Sequence, residues 1–302
     1  MKNNNLAPIC LFTYNRLNQT IKTIEALSDN YLASRSDLII FSDGAKDNKT
    51  QKEVDDVRNF LKTVNGFNSI KIFESNENRG LGPSIISGVS QVVGDHGKVI
   101  VLEDDLYTTP NFLDYMNQAL DFYADNDKII SVCGYGLKIK KPKNYIDSDF
   151  YLYGRSSSWG WGTWKNRWES IDWDVKDWQN LKSNKTKIKA FNYNGSDMFA
   201  MLKSVKEGKG NSWAIRFCYT QFKQRKYSLM PFKSFVENIG FGNEGTNTKY
   251  KFSRFKTEMN PGKARKFNFD KNIKVNKNIE RECYKYHSLI IRVYSRIRYV
   301  LG

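Results

Sequence analysis

For about its first 135 residues the chain alternates short apolar runs with stretches whose apolar residues recur at helical spacing. Pro8–Thr13, Asp37–Asp43, Ile70–Phe73, Val99–Leu106 and Ile129–Cys133 read as strands. Between them, Leu17, Ile21, Ile24 and Leu27 share one helical face, as do Val54, Val57, Leu61 and Val64. Ile85–Val93 is an apolar helix, and Tyr107–Phe112, with Pro110 near its first turn, reads as the start of a helix that continues to Phe122. Strand–helix alternation predicts an α/β fold, a mostly parallel sheet with helices on both faces. Right-handed crossovers then place every strand's C-terminal end on one edge, where open sheets of this kind bind ligands.

Four polar turns converge on that edge: Tyr14-Asn15-Arg16, Asp43-Gly44, Asn78-Arg79-Gly80 and Glu103-Asp104-Asp105. The last follows the most continuous apolar run. Three adjacent carboxylates repel one another unless a cation lies between them, and hard oxygen donors favour Mg²⁺ or Mn²⁺. The alternative is a solvated acidic turn. Arg79-Gly-Leu-Gly82 has the form of a phosphate-cradling turn at a helix N-terminus, or of a plain strand-to-helix turn; it matches neither a P-loop nor a dinucleotide fingerprint.

Beyond residue 135 the pattern changes. Lys138–Asp149 reads as a basic loop and Phe150–Tyr153 as a strand. Five of the seven tryptophans (159, 161, 164, 168 and 173) then fall within fifteen residues, spaced by glycine. They form either faces for sugar rings or an aromatic mini-core. Residues 185–207, carrying Asp197, read as one helix, and residues 212–222 as another. Tyr227–Pro231 and Ser234–Phe241 close the pattern with a strand and turn, followed by a flexible loop over Gly240–Gly245. Tyr284–Leu301 places Tyr286, Leu289, Ile290, Val293, Tyr294, Ile297 and Val300 on one helical face, with Lys285, Arg292 and Arg296 on another. Such a helix lies on an anionic membrane or packs its apolar stripe on the body.

Charge divides the 302 residues unevenly. Of the formal +16, the stretch from Lys249 onward carries +11, with 15 Lys or Arg against 4 Asp or Glu, leaving +5 for the rest. Hydrophobic content of 40% supports a sizeable core. The four cysteines form no Cys-x-x-Cys pair and are expected as buried free thiols. The N-terminus lacks the apolar segment of a signal peptide, and no run approaches a membrane span, so a cytoplasmic protein, attached at most peripherally, is expected. Only His96 and His287 are present, apart from any cysteine cluster, which argues against zinc catalysis, and no Gly-x-Ser-x-Gly elbow suggests a serine hydrolase. The basic tail lacks nucleic-acid-binding motifs, so no nucleic-acid partner is expected.

Phe12-Thr-Tyr-Asn-Arg16, Ser42-Asp-Gly44, Asn78-Arg-Gly80 and Glu103-Asp-Asp105 together resemble nucleotide-sugar glycosyltransferases of the GT-A fold. Glu-Asp-Asp-Leu106 followed by Pro110-Asn-Phe112 resembles the Golgi N-acetylglucosaminyltransferases. Ser157–Trp164, Ser212–Arg216 and Asn238–Phe241 resemble bacterial members that build surface polysaccharides. The resemblance implies a GT-A domain over 1–248, with a nucleotide-sugar half (1–135) and an acceptor half (136–248), ahead of a basic tail (249–302). It implies that Thr13, Asn15 and Arg16 flank the nucleotide, that Asp43 holds base or ribose, and that Arg79 and Gly80 contact nucleotide or diphosphate. Asp105 would ligate Mn²⁺ or Mg²⁺, with Glu103 and Asp104 touching sugar, ribose or metal-bound water. The expected reaction is inverting transfer from a nucleotide-sugar, UDP-linked, to a growing surface glycan or lipid-linked glycan. Two positions depart from the family: Asn211 stands where relatives carry an aspartate, and Asn247 where they often carry histidine. Asparagine cannot act as a general base, so Asp197 or Glu237 is expected to take that role. A sugar nucleotidyltransferase and a non-catalytic glycan-binding scaffold are the alternative readings.

Overall fold

The computed structural model describes residues 6–143, 145, 148–240 and 254–301. Among the described residues the strands are β1 (Ile9–Thr13), β2 (Asp37–Ser42), β3 (Ser69–Glu74), β4 (Lys98–Glu103), β5 (Leu106–Thr108), β6 (Ile129–Cys133), β7 (Phe150–Tyr153), β8 (Trp161–Trp164), β9 (Tyr227–Pro231) and β10 (Val236–Asn238). Eight of them form one sheet in the order β3-β2-β1-β4-β8-β6-β9-β7. The pairs β3–β2, β2–β1, β1–β4 and β6–β9 are parallel, and only β8 and β7 run against the rest. The α/β expectation and the placement of strand ends on one edge therefore hold.

The helices are α1 (Leu17–Ser28), α2 (Asn48–Leu61), α3 (Leu81–His96), α4 (Phe112–Phe122), α5 (Lys165–Glu169), α6 (Trp178–Ser183), α7 (Lys185–Phe191), α8 (Met198–Lys206), α9 (Trp213–Lys223), α10 (Lys277–His287) and α11 (Leu289–Leu301). Strand alternation sorts them into two layers. Ile9 and Leu11 of β1 pack with α1, α2 and α4, while Cys10 and Phe12 face α3, α5 and α9. Both faces of β1 and β4 are thus covered, which is why their sequences are continuous apolar runs rather than alternating ones. All four cysteines are buried free thiols.

Four local expectations are corrected. The Val99–Leu106 run is not one strand: it leaves the main sheet after Glu103, and Leu106–Thr108 pairs antiparallel with β10 in a separate two-stranded sheet. Tyr107 and Thr108 therefore lie in a strand, and the helix begins only at Phe112. The 185–207 helix is broken by a tight turn at Asn192–Asn194 and by Gly195, whose extended backbone resets the chain before α8. The tail helix divides at Ser288, whose extended backbone (ψ 153°) ends α10, while its carbonyl accepts from Arg292 N of α11.

Most of the tryptophan cluster is core. Trp161 stacks on Trp213 at 4.7 Å and on Trp168 at 5.6 Å, and all three are buried. Residues after 254 are built into the body. Phe267 and Phe269 join an aromatic stack with Tyr115, Phe150 and Phe235, Arg265 pairs with Asp114, and α10 buries Ile279 and Cys283. By contrast, α11 keeps an open apolar side, with Leu289 62% and Ile290 80% exposed. Among the described residues no helix is long and apolar enough to cross a membrane. Asn247 and the 241–245 part of the expected loop lie outside the described residues.

Candidate active site

The C-terminal ends of β1, β2 and β4 open onto a crevice of about 370 Å³. Its lining includes Thr13, Arg16, Asp43, Gly80 and the carboxylates of Glu103, Asp104 and Asp105. The chain brings the three acids there by changing sheets: β4 ends at Glu103, β5 begins at Leu106, and Asp104-Asp105 is the hand-over between them. Thr23 of α1 fixes that hand-over, because its hydroxyl donates to the Asp104 carbonyl and accepts from Leu106 N.

Arg16 reaches across from the end of β1 and pairs with both aspartates, donating to Asp104 Oδ1 and, at 3.0 Å, to Asp105 Oδ2. A guanidinium thus takes part of the counter-cation role. It does not saturate the site: Asp105 Oδ1 is buried without a hydrogen-bond partner, and so is the hydroxyl of Thr13. Gly240 closes over Asp105 so tightly that a Cβ there would come within 2.3 Å of Oδ2. Burial and the charges of Asp105 and Asp104 push the Glu103 carboxyl up to about 8. Burial also raises Asp104 to about 6, against the opposing pull of Arg16. The crevice is therefore an environment short of positive charge.

Asp43 lines the crevice and also organises its edge. Its carboxylate accepts from the backbone N–H groups of Gly44, Arg79 and Gly80 at 2.9–3.0 Å, clamping the turn that opens α3. Gly80 can take that turn because its φ is +75°, a region that favours glycine. The Arg79 side chain is exposed and borders a neighbouring hollow, and Asn15 bonds Glu53 of α2; neither lines the crevice. Asn211 sits at the same α3 turn: a Cβ on Gly82 would meet its carbonyl oxygen at 2.4 Å.

The structure brings neither candidate base to the crevice. Glu237 is exposed in β10, opposite Tyr107, while its strand neighbour Asn238 lines the crevice from the other side of the ladder. Asp197 is buried and held by Arg155 through contacts of 2.7 and 3.3 Å. Burial alone would raise its pKa, but the charge and hydrogen bonds of Arg155 outweigh it and hold the carboxyl at about 2. A carboxylate so committed is a poor proton acceptor. Leu81 and Ser84, which the sequence analysis did not single out, line the crevice together with Tyr14, Trp159 and Asn238. Only their closeness to the converging turns could have signalled them.

Residues 9–205 match the family described as glycosyl transferase family 2. Solved structures to which the chain is similar include the Pyrobaculum calidifontis mannosyltransferase PcManGT, in complex with GDP-Man and Mn²⁺. It is 11% identical with a TM-score of 0.38, the match covering 56% of this chain and 48% of that one. Staphylococcus aureus TarS 1–349 is 11% identical with a TM-score of 0.41, over 77% of this chain and 60% of that one. The chain thus spans less than two thirds of either. No curated protein matches it.

Proposed function

The chain belongs to glycosyl transferase family 2, and from that premise we propose that it is a metal-dependent, inverting glycosyltransferase that takes its sugar from a UDP-sugar. The acceptor is a growing glycan of a bacterial surface polysaccharide, free or lipid-linked. That the chain is a glycosyltransferase follows from the family; donor, metal, stereochemistry and acceptor are the proposal. The observation that supports it is the unpartnered, buried Oδ1 of Asp105 in a crevice at the sheet edge.

The donor set fits a hard divalent cation. Asp105 offers a free oxygen, with Asp104 and Glu103 beside it. Among the described residues no three His, Cys, Asp or Glu side chains are arranged to hold an ion on their own. Mn²⁺ or Mg²⁺ would thus be held by one or two carboxylates together with substrate phosphates, as Mg²⁺ commonly is. Bound there, the ion would neutralise the departing diphosphate as a Lewis acid. Arg16 supplies a second positive group to the same oxygens. The α3 N-terminus, held by Asp43, offers backbone N–H groups to the diphosphate. Thr13, with its free hydroxyl, orients the nucleotide at the end of β1. The open apolar side of α11 supports peripheral attachment to an anionic membrane, where lipid-linked acceptors would be presented.

The test is a panel of UDP- and GDP-sugars with the full chain, in Mn²⁺ or in EDTA, read by thermal shift and by nucleotide release. The expected result is a Tm rise and slow donor hydrolysis with a UDP-sugar, both lost in EDTA. No Tm rise and no release with any donor would overturn the reading.

A further inference from the structure

A second cavity, of about 250 Å³, lies behind the crevice and shares Trp159 with it as a common wall. Its other walls mix aromatic, aliphatic and polar groups: Tyr135 and Phe255, which flank Trp159 at 4.6 and 5.6 Å between ring centres, Leu137, Met201 and Met230, and the Ser156–Ser158 segment. The family's acidic machinery does not extend into it.

Three features bear on what this cavity can hold. Arg155 lines it, paired with Asp197 behind. Ser212, Ala214 and Ile215 line it too, so the N-terminus of the eleven-residue α9 opens onto it. Ser212 caps that helix by accepting from Ile215 N, which leaves earlier N–H groups outside the helical ladder and the positive end of the dipole toward the cavity. Finally, His287 lines the cavity at 7% exposure, and its Nδ1 has no hydrogen-bond partner. The groups facing this imidazole are Arg155, Arg254 and Arg292 against the single carboxylate of Asp197, with Tyr153 stacked on the ring. Burial and the Arg155 charge hold the imidazole well below its ordinary range, hence neutral, leaving the arginines as the charged groups. A buried polar atom without a partner costs free energy unless a ligand or water satisfies it.

We propose that the second cavity is an anion subsite for the acceptor: it takes the carboxylate or phosphate of an acidic glycan, between the α9 N-terminus, His287 and the arginine cluster. The inference rests on the transferase reading for the word acceptor, and on the cavity alone for the anion. The shared wall supports the link. A sugar stacked on Trp159 would reach the crevice with one face while its acidic group enters the second cavity.

The chain has only two histidines, and His96 is exposed, so ring resonances separate a cavity response from a general one. The full chain is titrated at constant ionic strength and pH with inorganic phosphate, with methyl β-glucuronide and with neutral methyl β-glucoside. At least one anion is expected to shift His287 saturably and leave His96 still, and which anion does so distinguishes phosphate from carboxylate acceptors. Arg292→Gln, on the half-buried side of α11, leaves the Arg155–Asp197 pair intact and should weaken that response several-fold at unchanged Tm. The proposal is overturned if neither anion shifts His287, if the neutral glucoside shifts it equally, or if Arg292→Gln binds as tightly. Mn²⁺-dependent nucleotide release is measured on the same preparation. If it is absent while His287 responds, the transferase reading falls and the anion site stands without an acceptor role.

Discussion

Two cavities meet at Trp159 with opposite electrostatics. In the crevice, three carboxylates crowd one arginine and leave an oxygen of Asp105 unpaired. Around His287, at the wall of the second cavity, one carboxylate is outnumbered by arginines. Their pH behaviour should be opposite too. Glu103, raised from 4.5 to about 8, binds more protons folded than unfolded in that interval, so its contribution to stability falls as pH rises. Asp197, lowered from 3.8 to about 2, contributes stability that is present above pH 4 and is lost as pH falls through its folded value. One wall therefore separates a site suited to a cation from a site suited to an anion. Acidity in one chain carries different meanings depending on how many guanidiniums share the space.

The largest effect should come from removing the unpaired oxygen. Charge neutralisation of a leaving group by a metal is worth several kcal/mol, and at about 1.4 kcal/mol per decade Asp105→Asn should lower kcat for transfer by roughly 10³-fold. Its Tm should hold or rise, because a like charge leaves the cluster. Unchanged turnover in Mn²⁺ would dissolve the contrast between the cavities at its acidic end. On the other side, Arg155→Met strands a buried carboxylate and should cost about 3–5 kcal/mol in urea unfolding, mostly recovered when Asp197→Leu is added. A single variant as stable as the parent would mean that Arg155 and Asp197 are solvated rather than paired.

A subtler effect separates the two by pH. Between about pH 4.5 and 8, Glu103→Gln should flatten the decline in stability seen in the parent, and Mn²⁺ should do the same without a substitution. An identical slope in parent and variant would show that Glu103 titrates normally. The smallest effect lies at the outer edge of the second cavity. Ending the chain after Ser288 removes α11 but keeps His287, so stability should change by less than about 0.5 kcal/mol, as at other exposed positions. Co-sedimentation with anionic vesicles should be lost with it. A large Tm drop would place α11 in the core instead.

The crevice was legible because its acids follow strands that the sheet buries on both faces, and such strands announce themselves as apolar runs. Asp43 was legible as a strand end, but its clamp on Arg79 N and Gly80 N was not, since that depends on a loop thirty-six positions away. The second cavity was not legible. Arg155, Asp197 and His287 come from three segments far apart in sequence, and only folding brings them together. The Ser288 break hid for another reason: apolar spacing runs straight through it, and a serine that caps a new helix looks, in one sequence, like a serine inside an old one. The Trp cluster left two readings open, because glycine spacing serves close stacking in a core as well as it serves a sugar, and only the fold decided between them.

The hand-over from β4 to β5 has a consequence in time. β5 finds its partner only in β10, and the Thr109 contact to the Phe235 carbonyl that anchors this pairing spans 126 positions. Loops of that length close late, because their entropy must be met before the contact rewards it. A ribosome that has delivered the first half of the chain has therefore delivered every carboxylate of the crevice, yet neither Asn238 nor the Gly240 that seats Asp105. Nascent chains should carry the crevice's charges long before β10 and Gly240 arrive to close it.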